Sequence, residues 1–126
     1  MTGPVLVDSD VLIEVLRGRS HEISARWIEL RESDAPIVYS PITSAEIWRG
    51  ARPSEAATVA AAFSALTCIP IDTVIGKRAG EYLARFYASH GMEIGDALIA
   101  ATSSVHELRL WTRNRKHFPM RDIDYF

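Results

Sequence analysis

The chain has 126 residues, of which 48% are hydrophobic and 24% charged, and its formal net charge is −2. This length suits one domain, and the composition supports a hydrophobic core, which excludes a disordered chain or a fibrous repeat. No stretch reaches the ~18 apolar residues of a membrane span, and the N-terminus lacks the basic region of a signal peptide. The single cysteine, Cys68, cannot form an internal disulfide, so we expect a cytoplasmic protein. The mildly acidic balance gives no direct sign of nucleic-acid binding.

Short apolar runs alternate with helical patterns in the first part of the chain. Runs rich in β-branched residues predict strands at 5–7 and 36–39. Ser9 is a candidate N-cap for a helix that ends at Gly18, and a second helix is expected from about Ser20 to Glu32.

The same alternation continues to the C-terminus. Ser40 and Pro41 form an N-cap followed by proline at the first helical position, which predicts a helix to about Gly50. The remaining predicted elements are a helix over 54–66, a brief strand over 69–71, a helix from Asp72 or Thr73 to Gly91, a buried helix over 94–105, a strand over 108–112 and a short edge strand within 120–126. Strands separated by helices predict an α/β domain with a mainly parallel sheet, whose ligands bind at the carboxyl ends of the strands.

Three aspartates are candidates for a functional or a structural role in this fold. Asp8 directly follows the first predicted strand, although an acid at a strand-to-helix turn also serves as a helix cap. For Asp10 the structural explanation is favoured, since acids in a first turn complement the helix dipole. Asp96 has Ile99 and Ala100 at helical spacing, so its carboxylate would be partly desolvated, which favours a functional role.

Glu46 has two interpretations. Thr43 and Glu46 match a capping box, which would be purely structural. The Ser40–Pro41 pair argues for an earlier helix start, which would place Glu46 beyond the first turn and free it from capping. The residues alone leave these alternatives open.

Three acids on separate elements near one sheet edge suggest a site for a hard cation, because Mg²⁺ and Mn²⁺ prefer carboxylate and water oxygens. Such ions polarise phosphoryl groups and activate bound water. The four histidines show no zinc-ligand spacing, and the sequence contains neither a P-loop nor a G-x-S-x-G elbow.

A basic segment follows the last clear strand. Between Arg109 and Arg121 the sequence holds five basic residues and no acid. A charge run is usually a solvated turn, but its position beside the candidate metal site makes phosphate binding equally plausible. Arg49 and Arg52 could add to the same rim.

Four blocks of the sequence resemble, in order and spacing, the motifs of PIN-domain ribonucleases, with the nearest likeness to the VapC toxins of toxin–antitoxin pairs. The blocks are VLVDSDVLIEVLRG, SAEIWRGA, EIGDALIAATS and LWTRNRKHF. The resemblance implies a single PIN domain over 1–126, built as a three-layer α/β sandwich with a central parallel sheet. It also implies Mg²⁺- or Mn²⁺-dependent cleavage of RNA.

The resemblance also assigns site residues. Asp8, Glu46 and Asp96 match the family's first three acids and are expected to hold the metal. The fourth position, often Asp and sometimes Asn, falls on Asn114, which adds no charge and puts a second tightly held ion in doubt. His117 stands where many relatives carry another acid. Supporting roles are expected for Thr112 and Ser9, and RNA-backbone contacts for Arg113, Arg115, Lys116 and Arg49.

The resemblance further implies partners. Family members pair with a small antitoxin whose C-terminal segment covers the active site, and homodimers and toxin–antitoxin hetero-oligomers are usual. No membrane partner is expected.

Two other functions remain as alternatives. The chain could be a catalytically weak PIN-like module that binds RNA or protein, which Asn114 and His117 make worth testing. A haloacid-dehalogenase-like phosphatase would explain Asp8-Ser9-Asp10 as a D-x-D motif, but Lys77 is a poor candidate for its lysine, and Asp96 is followed by Ala, Leu, Ile and Ala.

Overall fold

The computed structural model describes residues 3–126, which form a central sheet flanked by helices. The strands are β1 (Val5–Val7), β2 (Ile37–Tyr39), β3 (Thr67–Cys68), β4 (Arg109–Trp111) and β5 (Asp124–Tyr125). The helices are α1 (Ser9–Arg17), α2 (His21–Glu32), α3 (Pro41–Gly50), α4 (Ala56–Ser64), α5 (Thr73–His90) and α6 (Ile94–Val105), with short 3₁₀ turns at Pro53–Glu55 and Arg115–His117.

The sheet has the order β3-β2-β1-β4-β5, and every pairing is parallel. This confirms the predicted α/β fold. The strand order reverses at β1, which pairs with β2 on one side and β4 on the other. The carboxyl end of β1 is therefore the point at which an open parallel sheet leaves a crevice for a ligand.

Side-chain alternation along β1 divides the core into two clusters. Leu6 packs with Leu110 and the buried faces of α5 and α6, whereas Val5 and Val7 pack with Trp111 and residues of α1 to α4. All three β1 residues are fully buried. Helices on both faces of the sheet give the three layers that the sequence predicts.

Most of the predicted helix ends are correct because local capping chemistry fixes them. Ser20, Ser40 and Asp72 cap α2, α3 and α5 through hydrogen bonds from backbone N–H groups to their side chains. Gly91 ends α5 in the left-handed conformation, with φ of 60°. Helix α3 starts at Pro41, so Glu46 lies beyond its first turn and the capping-box interpretation is wrong.

Three predicted boundaries differ from the structure. Asp8, not Ser9, is the N-cap of α1 and accepts a hydrogen bond from the Ser9 backbone N–H. Strand β3 occupies Thr67–Cys68 instead of 69–71, because Pro70 has no N–H to contribute to a ladder. The helix expected over 54–66 is a 3₁₀ turn followed by the shorter α4.

The C-terminal tail carries β5, which pairs with β4 and forms the edge of the sheet as expected. Within residues 3–126, no helix combines the length and the apolar character needed to cross a bilayer.

The Gly91 conformation gives a stability prediction. Gly91→Ala should lower the free energy of unfolding by about 1–2 kcal/mol, because a Cβ is strained at positive φ even where open space surrounds it. Urea unfolding followed by circular dichroism measures the change.

Gly80→Ala is the matched control, since Gly80 lies within α5 and a Cβ there also meets nothing within 4 Å. It should raise stability by roughly 0.5–1 kcal/mol. Equal effects at both positions would contradict the assignment of strain to the helix end.

Candidate active site

Acidic side chains from three elements line one cavity at the carboxyl edge of the sheet. Asp8 follows β1, Glu46 lies in the middle of α3, and Asp96 lies in the first turn of α6. The cavity has a volume of about 320 Å³. Its lining also includes Ser9, Asp10, His90, Glu93, Asn114, Lys116 and His117. The structure thus brings together the three predicted acids and Asn114.

Asp8 is held by neighbours on both sides. Its side chain is only 9% exposed, and Oδ1 accepts the backbone N–H of Ser9 at 2.8 Å while Oδ2 accepts the hydroxyl of Thr112 at 3.0 Å. Burial, and then the charge of Asp10, raise the pKa of Asp8 from its ordinary value of 3.8 to about 6. Glu46 adds a smaller effect in the same direction. The carboxylate is thus both a helix cap and an electrostatically strained group.

Asp96 and Glu46 approach the cavity from the other elements. Burial raises the pKa of Asp96, although His117 opposes this shift, with its Nδ1 3.7 Å from Oδ2 of Asp96. Glu46 is exposed and accepts a hydrogen bond from the Ser9 hydroxyl at 3.2 Å. The α1 and α6 N-termini also point their partial positive charge toward this edge, where it favours acids.

The loop after β4 is tied to the start of α1. Oδ2 of Asp10 accepts hydrogen bonds from Nδ2 of Asn114 at 2.8 Å and from the backbone N–H of Arg113 at 3.0 Å. The backbone N–H of Asn114 donates to the Thr112 hydroxyl at 3.1 Å. The other oxygen of Asp10, Oδ1, is buried without a hydrogen-bond partner among residues 3–126.

Sequence reasoning treated Asp10 as a dipole-complementing acid, and the structure gives it more partners than that role requires. The only sequence signal was its position two residues after Asp8, at the start of a helix. The contacts run to a loop more than a hundred residues away, which a local pattern does not reveal.

Of the four basic side chains predicted to contact RNA, one lines the cavity and three do not. Lys116 lines the cavity. Arg113 instead forms an ion pair with the buried Glu14 at 3.2 Å, and Arg115 lies over the ring of Tyr125, 4.4 Å from its centroid. Arg49 is exposed in the last turn of α3, outside the cavity lining.

The carboxylates do not form a closed ligand cage. In the part of the chain that the structure describes, no three Asp, Glu, His or Cys side chains converge closely enough to enclose a metal ion. Mg²⁺ usually keeps several waters and takes only one or two carboxylates directly. An open acidic cavity of this kind is compatible with a hydrated ion.

A second concave surface adjoins the cavity. This α1–α3–α4 groove has an apolar floor formed by Ile13, Leu16, Ile47 and Val59, with Arg17 and Glu55 among its polar lining residues. Glu46 lines both the groove and the acidic cavity. An occupant of the groove would therefore contact an acid of the candidate site.

Comparisons with known proteins agree with this architecture. The family model described as "PIN domain" matches residues 5–123. Ribonuclease VapC10 of Mycobacterium tuberculosis is 41% identical over 118 residues, covering 92% of this chain and 86% of the relative. Ribonuclease VapC19 of the same species is 34% identical over 116 residues, covering 91% and 92%.

Solved structures give the same result. A toxin–antitoxin complex from Klebsiella pneumoniae matches with a TM-score of 0.78 and 27% identity, covering 94% of each chain. A DNA-bound VapBC from Salmonella typhimurium shares the fold, with a TM-score of 0.81 and 21% identity over 98% and 96%. Fold and cavity define an α/β domain with acids at the carboxyl edge of its sheet. The chain belongs to the PIN-domain family and, within it, to the VapC ribonucleases.

The raised pKa of Asp8 gives a pH-dependent prediction. Between about pH 4 and 6 the folded protein binds the Asp8 proton more tightly than the unfolded chain, so the free energy of unfolding falls as pH rises through this range. A shift of this size corresponds to about 3 kcal/mol. Asp8→Asn should therefore be more stable than the wild type by about 1–3 kcal/mol at pH 7.5, and no more stable at pH 3.5.

Urea unfolding in the presence of a chelator measures both values. Asp34→Asn is the control, because Asp34 is exposed between α2 and β2 and should change stability by less than about 0.5 kcal/mol. A less stable Asp8→Asn at pH 7.5 would show that the hydrogen bonds of Asp8 outweigh its desolvation.

Proposed function

We propose that this chain is the toxin of a toxin–antitoxin pair and acts as an endoribonuclease that hydrolyses RNA phosphodiester bonds with Mg²⁺ or Mn²⁺. The observation that carries the proposal is the convergence of Asp8, Glu46 and Asp96 on one cavity. It occurs in a chain that belongs to the VapC ribonucleases.

The residues present fit a divalent cation. Burial raises the pKa values of Asp8 and Asp96, and the charges of Asp10 and Glu46 act on both in the same direction, so the cavity holds more negative charge than its protein surroundings compensate. Carboxylate and amide oxygens are the donors that hard cations prefer. A bound Mg²⁺ or Mn²⁺ would stabilise charge on the phosphate and lower the pKa of a bound water.

Each site residue has a distinct task in this proposal. Asp8, Glu46 and Asp96 hold the ion, and Asn114 contributes its amide oxygen. Thr112 and Ser9 support the acids, since Thr112 donates to Asp8 and Ser9 donates to Glu46. These hydrogen bonds fix the direction of each carboxylate before substrate arrives.

RNA-backbone binding is assigned first to Lys116, which lines the cavity. Arg115 and Arg49 are exposed outside the cavity lining and are assigned to further contacts with the RNA backbone. The Arg113 guanidinium is paired with Glu14, so we assign it mainly to holding the loop after β4, with phosphate contact as a secondary role.

The antitoxin is proposed to bind in the α1–α3–α4 groove. The apolar floor of the groove suits the apolar face of an amphipathic segment. Because Glu46 lines both the groove and the cavity, a segment bound in the groove would extend to the acids of the site. A basic side chain of the partner placed there would neutralise the carboxylates and exclude substrate.

We also propose a homodimer in the cytoplasm. Tyr87 and Ile94 are each 67% exposed on either side of Gly91, and large apolar side chains exposed in this way are typical of association surfaces. The exposed, unpaired thiol of Cys68 supports a reducing compartment.

Metal-dependent cleavage provides the main test. Purified antitoxin-free protein with Mn²⁺ should cut an RNA pool, and a chelator should abolish cutting. Asp8→Asn, Glu46→Gln and Asp96→Asn should each lower the rate at least about a hundredfold, because each removes one of the charges that hold the hydrated ion. Gel analysis with mapped cut sites measures the rate, and circular dichroism checks the fold.

Glu22→Gln is the matched control, because Glu22 is an exposed first-turn acid of α2 that does not line the cavity. It should cut at the wild-type rate. Cutting that survives in all three site variants would overturn the site assignment. A wild type that binds Mn²⁺ but cuts no RNA would favour the binding-module alternative.

The groove assignment has its own test. Thr58→Arg places a long charged side chain at an exposed position of the groove, so it should weaken binding of the cognate antitoxin at least about tenfold. Isothermal titration calorimetry against the antitoxin measures the affinity. Ala57→Arg, exposed on the same helix but outside the groove lining, should bind normally, and equal losses in both variants would contradict this location.

A further inference from the structure

Asp10 lines the cavity of the candidate site, but the proposed chemistry gives it no task. It lies in the first turn of α1, but its Oδ2 accepts hydrogen bonds from Asn114 and from the Arg113 backbone. An acid that served only the helix dipole would not need partners on another element. Oδ1 of Asp10 is buried without a hydrogen-bond partner among residues 3–126, which lowers the stability of the fold. A buried group that lowers stability in this way is expected to have a further role.

The bond between Asp10 and Asn114 fixes which way the amide points. A carboxylate can only accept, so the atom of Asn114 that faces it at 2.8 Å is the donor Nδ2. The carbonyl oxygen of the same amide is thereby turned away from Asp10. No donor within residues 3–126 hydrogen-bonds to this oxygen, and the side chain lines the cavity.

Orientation matters because the two ends of the amide have opposite polarity. The oxygen attracts a cation or accepts from a water, whereas the NH₂ group repels a cation. Without Asp10, rotation about the terminal torsion would let either end face the cavity. An aspartate at position 114 would need no such control, because its two oxygens are equivalent.

A second acid of α1 supports the same loop. Glu14 is buried and receives the Arg113 guanidinium at 3.2 Å and that of Arg19 at 3.1 Å. The loop is thus anchored to α1 by two acids: Glu14 pairs with the Arg113 guanidinium, and Asp10 accepts from the Arg113 backbone and from the Asn114 amide. Glu14 holds the loop in place. Asp10 also determines which end of the Asn114 amide, the oxygen or the NH₂ group, is turned away from α1.

We infer that Asp10 is a positioning residue that orients the Asn114 amide with its oxygen available to the site, a role that rests on the proposed nuclease function. An aspartate at position 114 would present an oxygen to the site in either orientation of its carboxylate. At Asn114, the hydrogen bond to Asp10 selects the one orientation that presents the oxygen. Asp10 itself does not touch substrate in this scheme.

The first experiment compares shape with charge. Asp10→Ala should lower kcat for RNA about ten- to a hundredfold, as loss of an orienting partner does at metal sites, with KM within about twofold. Asp10→Asn keeps an acceptor oxygen and should retain activity within about threefold of the wild type. If Asp10→Asn is as impaired as Asp10→Ala, Asp10 acts through its charge and the inference is overturned.

The second experiment asks whether Asp10 acts through Asn114. In an Asn114→Ala background, adding Asp10→Ala should change kcat and Mn²⁺ affinity by less than about twofold, because the group to be oriented is already absent. A further tenfold loss would mean an independent role and would overturn the inference. Glu22→Ala, which removes a first-turn acid from α2, controls for helix-dipole effects and should leave all values unchanged.

A spectroscopic readout separates this inference from the proposed function. In metal-free protein, the Asn114 side-chain NH₂ signals in a ¹⁵N-correlation spectrum should exchange slowly in the wild type and in Asp10→Asn, and at least about tenfold faster in Asp10→Ala. Equal exchange in all three would overturn the inference even if RNA is cut. A wild type with slow exchange that cuts no RNA would instead contradict the proposed function. If Asp10→Ala does not fold, Asp10→Ser serves, because its hydroxyl is too short to reach Asn114.

Discussion

The architecture depends on one electrostatic constraint, which is the burial of the Asp8 carboxylate at the carboxyl end of β1. The central strand is fully enclosed, so the residue that follows it is largely withdrawn from water. Its charge is tolerated through two hydrogen bonds and the N-terminus of α1. These partners come from α1 and from the loop after β4, and they lie beside the cavity that Asp8 lines. Glu46 and Asp96 line the same cavity from the other elements.

Helix capping and site formation use the same atoms here. Oδ1 of Asp8 caps α1, while Oδ2 receives Thr112 from the neighbouring strand end. The structural interpretation of this acid is therefore correct, and the same cap orients the carboxylate that the proposed site requires. Ser9 behaves similarly, because its backbone satisfies Asp8 and its hydroxyl donates to Glu46.

The sequence predicted those parts of the molecule that local chemistry determines. Capping residues such as Ser40 and Asp72 gave the helix starts, and Gly91 gave a helix end, because each acts on its own turn. The position of β3 was wrong because pairing with β2, rather than apolar content, decides which two residues form the strand. Asp8 could be placed at the cavity because it directly follows a strand of the parallel sheet, whereas Glu46 and Asp96 lie on helices and were indicated by the family resemblance.

The roles of Asp10 and Arg113 could not be predicted in this way. Asp10 bonds to a residue 104 positions away, and the Arg113 guanidinium is taken up by Glu14 across 99 positions. Such contacts depend on the register of β1 against β4, in which Val7 pairs with Trp111. A one-residue slip would move Thr112 and Asn114 away from their acceptors. The geometry of the site therefore depends on the pairing of β1 with β4 as much as on the side chains of the site itself.

The shared position of Glu46 has a thermodynamic consequence. One side chain lines both the acidic cavity and the apolar groove beside it, so an occupant of either space changes the free energy of filling the other. Such coupling is reciprocal: whatever factor a groove ligand imposes on affinity in the cavity, a cavity ligand imposes on the groove. If RNA and the antitoxin bind where they are proposed to, abundant RNA would weaken antitoxin binding by the same factor by which the antitoxin weakens RNA binding, and the balance between the two would follow their concentrations.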